Sequence, residues 1–285
     1  MPQANEISYV TWLKTATDRL RLAKINSLEP RLDAELILSH ALGIERLKLH
    51  LNPSTKLLPK IKDKADRLLQ LRLTGYPIAY ILGYKEFYGR NFFVTPDVLI
   101  PRPETEELIK ISLQKLQTWP NNTTIKLADI GTGSGAIGLT IALENKNIYK
   151  LDLIDISNQA LQICQKNANL YSVTNTKFIQ SNLLKNCRQK YHLITANLPY
   201  VDRNWEFGHE IKHEPAIALF AENDGLELIF KLIDQIAAQK NLEPNGWLVL
   251  ESDLIQQPAI AKKLAQANFD KISHSGFVTS ANFKN

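Results

Sequence analysis

The chain has 285 residues, 44% of them hydrophobic, with 34 Lys+Arg against 29 Asp+Glu for a formal net charge of +5. That length supports a sizeable core without staples and exceeds one small domain, so a large domain with a smaller companion is expected. Cys164 and Cys187 match no disulfide framework, redox pair or metal-ligand spacing, no signal-peptide pattern opens the chain, and no apolar run approaches the roughly 20 residues of a membrane span, which excludes a disulfide scaffold, a thiolate metal site and a membrane protein. A cytoplasmic, metal-free protein acting as a monomer is expected.

Residues 1–75 read as helices. In "RLDAELILSHALG" the pairs Leu32/Leu36 and Leu38/Leu42 recur at i, i+4 around Ala41, before a stop at Gly43. "IKDKADRLLQLRLTG" repeats the pattern with Ile61, Ala65, Leu68, Leu69 and Leu73 before Gly75. A small helical bundle is predicted. It holds 13 Lys+Arg against 8 Asp+Glu, whereas residues 76–285 hold 21 of each, so the positive excess sits at the front. Such an excess suits a surface that meets nucleic acid or an acidic partner, and equally a solvated helix face. Residues 76–103, "YPIAYILGYKEFYGRNFFVTPDVLIPRP", are dense in aromatic and β-branched residues broken by Gly83 and Gly89, which predicts a β-hairpin linker.

Residues 104–285 change texture. "TIKLADI", "YKLDLIDI", "KFIQ", "YHLITAN" and "GWLVLES" read as strands, and between them "GAIGLTIALEN", "NQALQICQKNANLY" and "LELIFKLIDQIAAQK" read as helices. This alternation predicts an α/β domain with a mostly parallel, doubly wound sheet. "LADIGTGSGAIG" places Gly131, Gly133 and Gly135 directly after its first strand, where a backbone without side chains approaches a ligand and helix N-terminal amides face it. The second strand ends at Asp155, 24 residues after Gly131, placed to accept hydrogen bonds from the hydroxyls of a ribose. A nucleoside-type cofactor follows. Gly133, Gly135 and Gly138 also satisfy the dinucleotide pattern G-x-G-x-x-G, so a nicotinamide-dependent dehydrogenase or a non-catalytic nucleotide-binding module stays open.

The strand "YHLITA" runs into Asn197-Leu198-Pro199-Tyr200. If the sheet is doubly wound, that strand lies beside the first, and its carboxyl end borders the crevice where ligands bind. The Asn197 side-chain carbonyl and the Leu198 main-chain carbonyl can then accept both hydrogens of a planar –NH2 group; Pro199 stiffens the turn and Tyr200 packs on the flat substrate. An amide or aromatic amine held this way is aimed at an electrophilic carbon, and no general base is required before attack.

These residues resemble the class I, S-adenosyl-L-methionine-dependent methyltransferases of the PrmC/HemK group, which methylate a glutamine side chain in peptide chain release factors. The resemblance covers nearly the whole chain through the blocks "RLDAELILSHALG", "GYPIAYILGYKEFYG", "VLIPRPETEELI", "ADIGTGSGAIGLTIA", "DISNQALQICQKNA", "NLPYV", "HEPAIALFAENDGLELI" and "PNGWLVLES", in that order. It implies a Rossmann-like catalytic domain behind a substrate-docking helical bundle, with a release factor as protein partner and no sequence-specific nucleic-acid binding. It also implies that Gly131, Thr132, Gly133, Ser134 and Gly135 cradle the methionine and ribose portion, with Asp155 on the ribose and Asn182 and Leu183 near the adenine. Asn197, beside the cofactor, would hold the glutamine amide together with Leu198, Pro199 and Tyr200, while Phe87, Tyr88 and Arg102 wall the pocket. Three departures stand out: Leu198 replaces the first proline of Asn-Pro-Pro-Tyr, implying a slightly looser turn; Asn182 stands where an Asp is usual; and the tail "HSGFVTSANFKN" lacks the usual ending, implying altered final strands. An adenine amino-methyltransferase acting on DNA or RNA is the nearest alternative, since an exocyclic amine fits the same grip, but the chain has no large basic target-reading insertion.

Overall fold

In the computed structural model, which describes residues 7–23, 25, 29–202, 205 and 209–284, helix α1 (Tyr9–Leu22) begins at Ser8, whose hydroxyl accepts the Thr11 amide. Helix α2 (Pro30–Leu42) starts on a proline and stops at Gly43, whose φ of 68° lets the chain turn off the helix. Two short helices, α3 (Leu47–Leu51) and α5 (Ile78–Leu82), flank α4 (Pro59–Leu73). Trp12, Leu13, Ala16 and Leu20 of α1 share one core with Ala34, Ile37, Leu38 and Ala41 of α2 and Ala65 and Leu69 of α4. The buried face of α2 is therefore rotated from the expected Leu32/Leu36 line, leaving both half-buried. The rotation follows from Asp33, which turns inward to accept from the Arg72 guanidinium on α4 at 2.7 Å, with side chains 11% and 3% exposed. These elements, with the 3₁₀ turn His209–His213, make up the first of two compact units.

The second unit begins at Lys85. Only Tyr84–Phe87 (β1) and Arg90–Phe93 (β2) of segment 76–103 form a hairpin; Ile78–Leu82 is a helical turn that buries Ala79, Tyr80 and Ile81 and that Gly83 ends at φ 79°. After α6 (Glu106–Leu116) come β3 (Ile125–Ile130), α7 (Ala136–Glu144), β4 (Ile148–Asp155), α8 (Asn158–Leu170), β5 (Thr176–Gln180), β6 (Tyr191–Ala196), α9 (Glu227–Gln239), β7 (Leu242–Glu251), α10 (Gln257–Gln266), β8 (Phe269–Ser275) and β9 (Val278–Phe283).

Seven strands pair in the order β5-β4-β3-β6-β7-β9-β8, the first five parallel and β9 antiparallel to both its neighbours. The altered tail thus still completes the sheet, and every residue of β9 is buried. Alternate residues face two cores: Ala128, Ile130, Ile194 and Leu250 pack with α9 and α10, whereas Leu127, Leu151, Leu193 and Val249 pack with α6, α7 and α8. Strands covered on both faces need near-continuous apolar sequence, which is what β3 and β6 supply. The chain leaves β3 toward β4 and β5, then returns to β6 on the other side, so a switch point opens between the carboxyl ends of β3 and β6.

Replacing Asp33 with Ala leaves the buried Arg72 charge with less compensation. The loss should be about 3–5 kcal/mol of stability in the helical unit, read as faster amide hydrogen exchange across α2 and α4; unchanged exchange would remove the ion pair from the unit's framework.

Candidate active site

Register brings the site together. Ile130 pairs with Ile154 on one side and Ala196 on the other, so Gly131, Asp155 and Asn197 emerge side by side from β3, β4 and β6. The amides of Gly131 and Thr132 both donate to the Ile154 carbonyl, at 2.8 and 3.0 Å, bending the chain across the end of β4. Gly131 adopts φ 68°, and a Cβ there would stand 3.0 Å from Leu198 Cδ2 and 3.6 Å from the Asn197 carbonyl oxygen. At Gly135, where φ is 83°, a Cβ would meet Cys164 Sγ at 2.7 Å and Leu139 Cδ1 at 2.8 Å. The left-handed backbone disfavours a side chain at both positions, and at Gly135 space excludes one as well.

Asp129, 1% exposed, anchors the loop. Its Oδ2 accepts from Thr132 Oγ1 at 2.6 Å and the Gly138 amide at 3.1 Å, and its Oδ1 accepts from Thr195 Oγ1 at 2.8 Å. Burial pushes its pKa up to about 6, against the pull of these hydrogen bonds. Asp155 takes the Gly133 amide on Oδ2 and the Ser157 amide on Oδ1, each at 2.9 Å; burial raises its pKa against those bonds. Asn167, fully buried on α8, donates to Phe93 O at 3.0 Å and Ser134 O at 2.8 Å and accepts from Phe93 N at 2.7 Å, joining β2 to the glycine loop.

One cleft is lined by Gly131, Thr132, Gly133, Ser134, Asp155, Asn182, Leu183, Asn197, Leu198 and Pro199, together with Phe87, Arg102 and Thr105. Gly135, Tyr88 and Tyr200 do not line it. Gly135 sits behind the loop, and Tyr200 packs against the core on the α9 face, its hydroxyl donating to Glu251 Oε1 at 3.3 Å. Leu183 holds a left-handed φ of 53°. Its neighbour Leu184 is tied through its amide to Gln235 Oε1 at 2.7 Å. Arg102 pairs with Glu214, which is buried and also accepts the Ile100 amide at 3.1 Å. Asn197 donates through Nδ2 to Glu251 Oε1 at 3.1 Å and Thr105 Oγ1 at 3.3 Å. Among the described residues no hydrogen bond engages the Leu198 carbonyl.

Residue reading did not single out Asp129, Thr195, Asn167, Thr105 or Glu251. A signal existed for two of them, because Asp129 follows Leu127-Ala128 and Glu251 follows the apolar run Trp247–Leu250, each an acid at the carboxyl end of a strand, at the sheet edge where ligands bind. The donor set fits a nucleoside bearing an amino acid: a side-chain-free backbone at Gly131 and Gly133, a carboxylate at the end of β4, and apolar Ile156 and Leu183 beside polar Asn182.

The strand order, the glycine loop after β3 and the acid ending β4 define a Rossmann-like, class I methyltransferase. Residues 11–83 match the PrmC N-terminal domain and residues 110–219 the methyltransferase small domain. A release factor glutamine methyltransferase of Coxiella burnetii is 39% identical over 248 residues, 87% of each chain, and one of Francisella tularensis is 36% identical over 258 residues, 89% of each. The chain belongs to the release factor glutamine methyltransferase family. Among solved structures, the hMettl16 catalytic domain in complex with MAT2A 3'UTR hairpin 6 shares the fold, with a TM-score of 0.53 at 14% identity over 81% of this chain and 84% of that one.

Burial raises the Asp129 pKa from its ordinary 3.8, so its stabilising contribution is fully present below that value and is lost as pH rises through about 6. Relative to Asp129→Asn, wild type should lose on the order of 3 kcal/mol of unfolding free energy between about pH 4 and 6, read by urea denaturation. A pH-independent difference would contradict the buried carboxyl.

Proposed function

We propose that this enzyme transfers a methyl group from S-adenosyl-L-methionine to the side-chain amide nitrogen of a glutamine in a peptide chain release factor. The observation that carries the reading is the abutment of Asn197-Leu198 on the first glycine of the loop, with the Asn197 main-chain oxygen 3.6 Å from where a Gly131 Cβ would be. An amide held there is adjacent to whatever the loop cradles. The cofactor supplies an electrophilic methyl on a sulfonium.

This chain's residues do the rest by placement. Gly131 to Gly135 shape the bed for the methionine and ribose portion, Asp155 accepts from the ribose hydroxyls, and Asn182 and Leu183 border the base. Asn197 Oδ1 and the Leu198 carbonyl accept the two hydrogens of the glutamine –NH2, and Pro199 holds the turn. An amide nitrogen is a poor nucleophile, so fixed geometry and carbonyl dipoles must provide most of the acceleration. The nitrogen's proton becomes acidic only once the methyl has arrived, so no base is needed before the attack. Tyr200 supports the turn from behind. The helical unit, with its positive excess and exposed Leu47, Leu51 and Leu58, docks the release factor. A cytoplasmic setting agrees with two free, buried cysteines.

The test incubates the protein and methyl-labelled cofactor with a release factor, the same factor with its target Gln replaced, and an adenine-containing duplex. Label should enter the first alone; label in the duplex or in the Gln-less factor overturns the assignment. Asn197→Ala should lower turnover by about 2 kcal/mol or more while the chain stays folded. Asp155→Ala should weaken cofactor binding about tenfold or more by calorimetry, as expected for a lost charge-assisted pair; unchanged affinity would take Asp155 off the ribose.

A further inference from the structure

We propose that Glu251 is a positioning residue for the transfer, fixing which end of the Asn197 carboxamide faces the cleft; the proposal rests on the amide-holding role given to Asn197. An asparagine side chain can present oxygen or –NH2 by a half-turn about its last bond, and only the oxygen can accept a hydrogen from a substrate amide. Something must choose between them. Register places the choice on β7: Leu250 pairs with Ala196, so the next residues, Glu251 and Asn197, leave neighbouring strands together.

Glu251 is 2% exposed and accepts the Asn197 nitrogen at 3.1 Å, while Thr105 Oγ1 accepts the same nitrogen at 3.3 Å. An ionised carboxylate accepts only, so reversing the amide would set two acceptors face to face in a buried, low-dielectric place. The nitrogen is drawn inward and the oxygen is offered outward. The same carboxylate oxygen accepts the Tyr200 hydroxyl at 3.3 Å, so Glu251 fastens both the first and the last side chain of the Asn-Leu-Pro-Tyr turn to an adjacent strand. Its other oxygen, Oε2, is buried and has no hydrogen-bond partner among the described residues. A half-satisfied buried carboxylate is costly for stability. Retaining one makes sense where acceptor-only character is needed, which a Gln or Leu at this position lacks.

The experiment measures methyl transfer to the release factor by wild type, Glu251→Gln, Asn197→Ala and the double variant, with cofactor affinity by calorimetry and, on nitrogen-15-labelled protein, the Asn197 side-chain amide resonance identified by its loss in Asn197→Ala. Glu251→Gln should cut kcat about 10- to 100-fold, leave cofactor affinity unchanged, shift the Asn197 side-chain resonance and speed its hydrogen exchange. On the Asn197→Ala background it should add nothing, since a residue acting only through another is non-additive with it. Thr105→Val, which removes the second acceptor, should move the same readouts in the same direction, and serves if Glu251→Gln fails to fold; Thr105→Ser should restore them. An unchanged kcat in Glu251→Gln, a loss that persists in full on Asn197→Ala, or an unshifted resonance overturns the proposal. Wild type that labels no release factor defeats the proposed substrate instead, and the resonance then decides the orientation without any substrate.

Discussion

A carboxylate sealed at the end of β3 governs the geometry of this site. Asp129 reaches the loop through Thr132, helix α7 through the Gly138 amide and strand β6 through Thr195, so three elements share one acceptor. Burying a charge is costly unless donors surround it, and those donors are the groups whose positions the loop requires. The cost is borne where it fixes function. Because amide methylation depends on placement rather than on a strong base, a rigid bed beside a rigid grip is the central requirement.

Parallel topology makes that rigidity available. Five strands deliver their carboxyl ends to one edge, and three of them carry an acid at or next to that end: buried Asp129 on β3, half-buried Asp155 on β4 and buried Glu251 on β7. Burial raises the pKa of all three. Each accepts hydrogen bonds from backbone or side-chain groups of the site. Asp155 holds the Gly133 and Ser157 amides and still borders the cleft, so one group both shapes the loop and lines the cavity beside it.

How much of this was legible follows from what local pattern encodes. Glycine spacing, apolar runs and the acid ending the second strand point to the loop, the alternation of strands and helices, and Asp155, because those features depend on neighbours within a few residues, whereas the full strand order with its antiparallel β9 does not. The Asn-Leu-Pro-Tyr turn was found for the same reason. Partners distant in sequence were not. Asn167 looks like an ordinary helical polar residue until Phe93 and Ser134 arrive, 74 and 33 positions away. Tyr200 was expected on the substrate, yet Glu251, 51 positions on, draws its hydroxyl inward. Likewise the face of α2 rotated because Asp33 meets Arg72 across 39 residues. The hairpin expected over 76–103 shrank because three adjacent buried side chains at 79–81 are satisfied by a helical turn as well as by a strand.

The closeness of Leu198 to Gly131 reaches beyond this molecule. With its side chain 4% exposed and one methyl 3.0 Å from where a Cβ at 131 would lie, the leucine occupies the room that any bulkier loop would claim. Residues 131 and 198 are accordingly in near contact, so a larger group at either one presses on the other. A β-carbon at 131 would push on that methyl, and trimming the leucine would leave a hollow ledge beneath the loop.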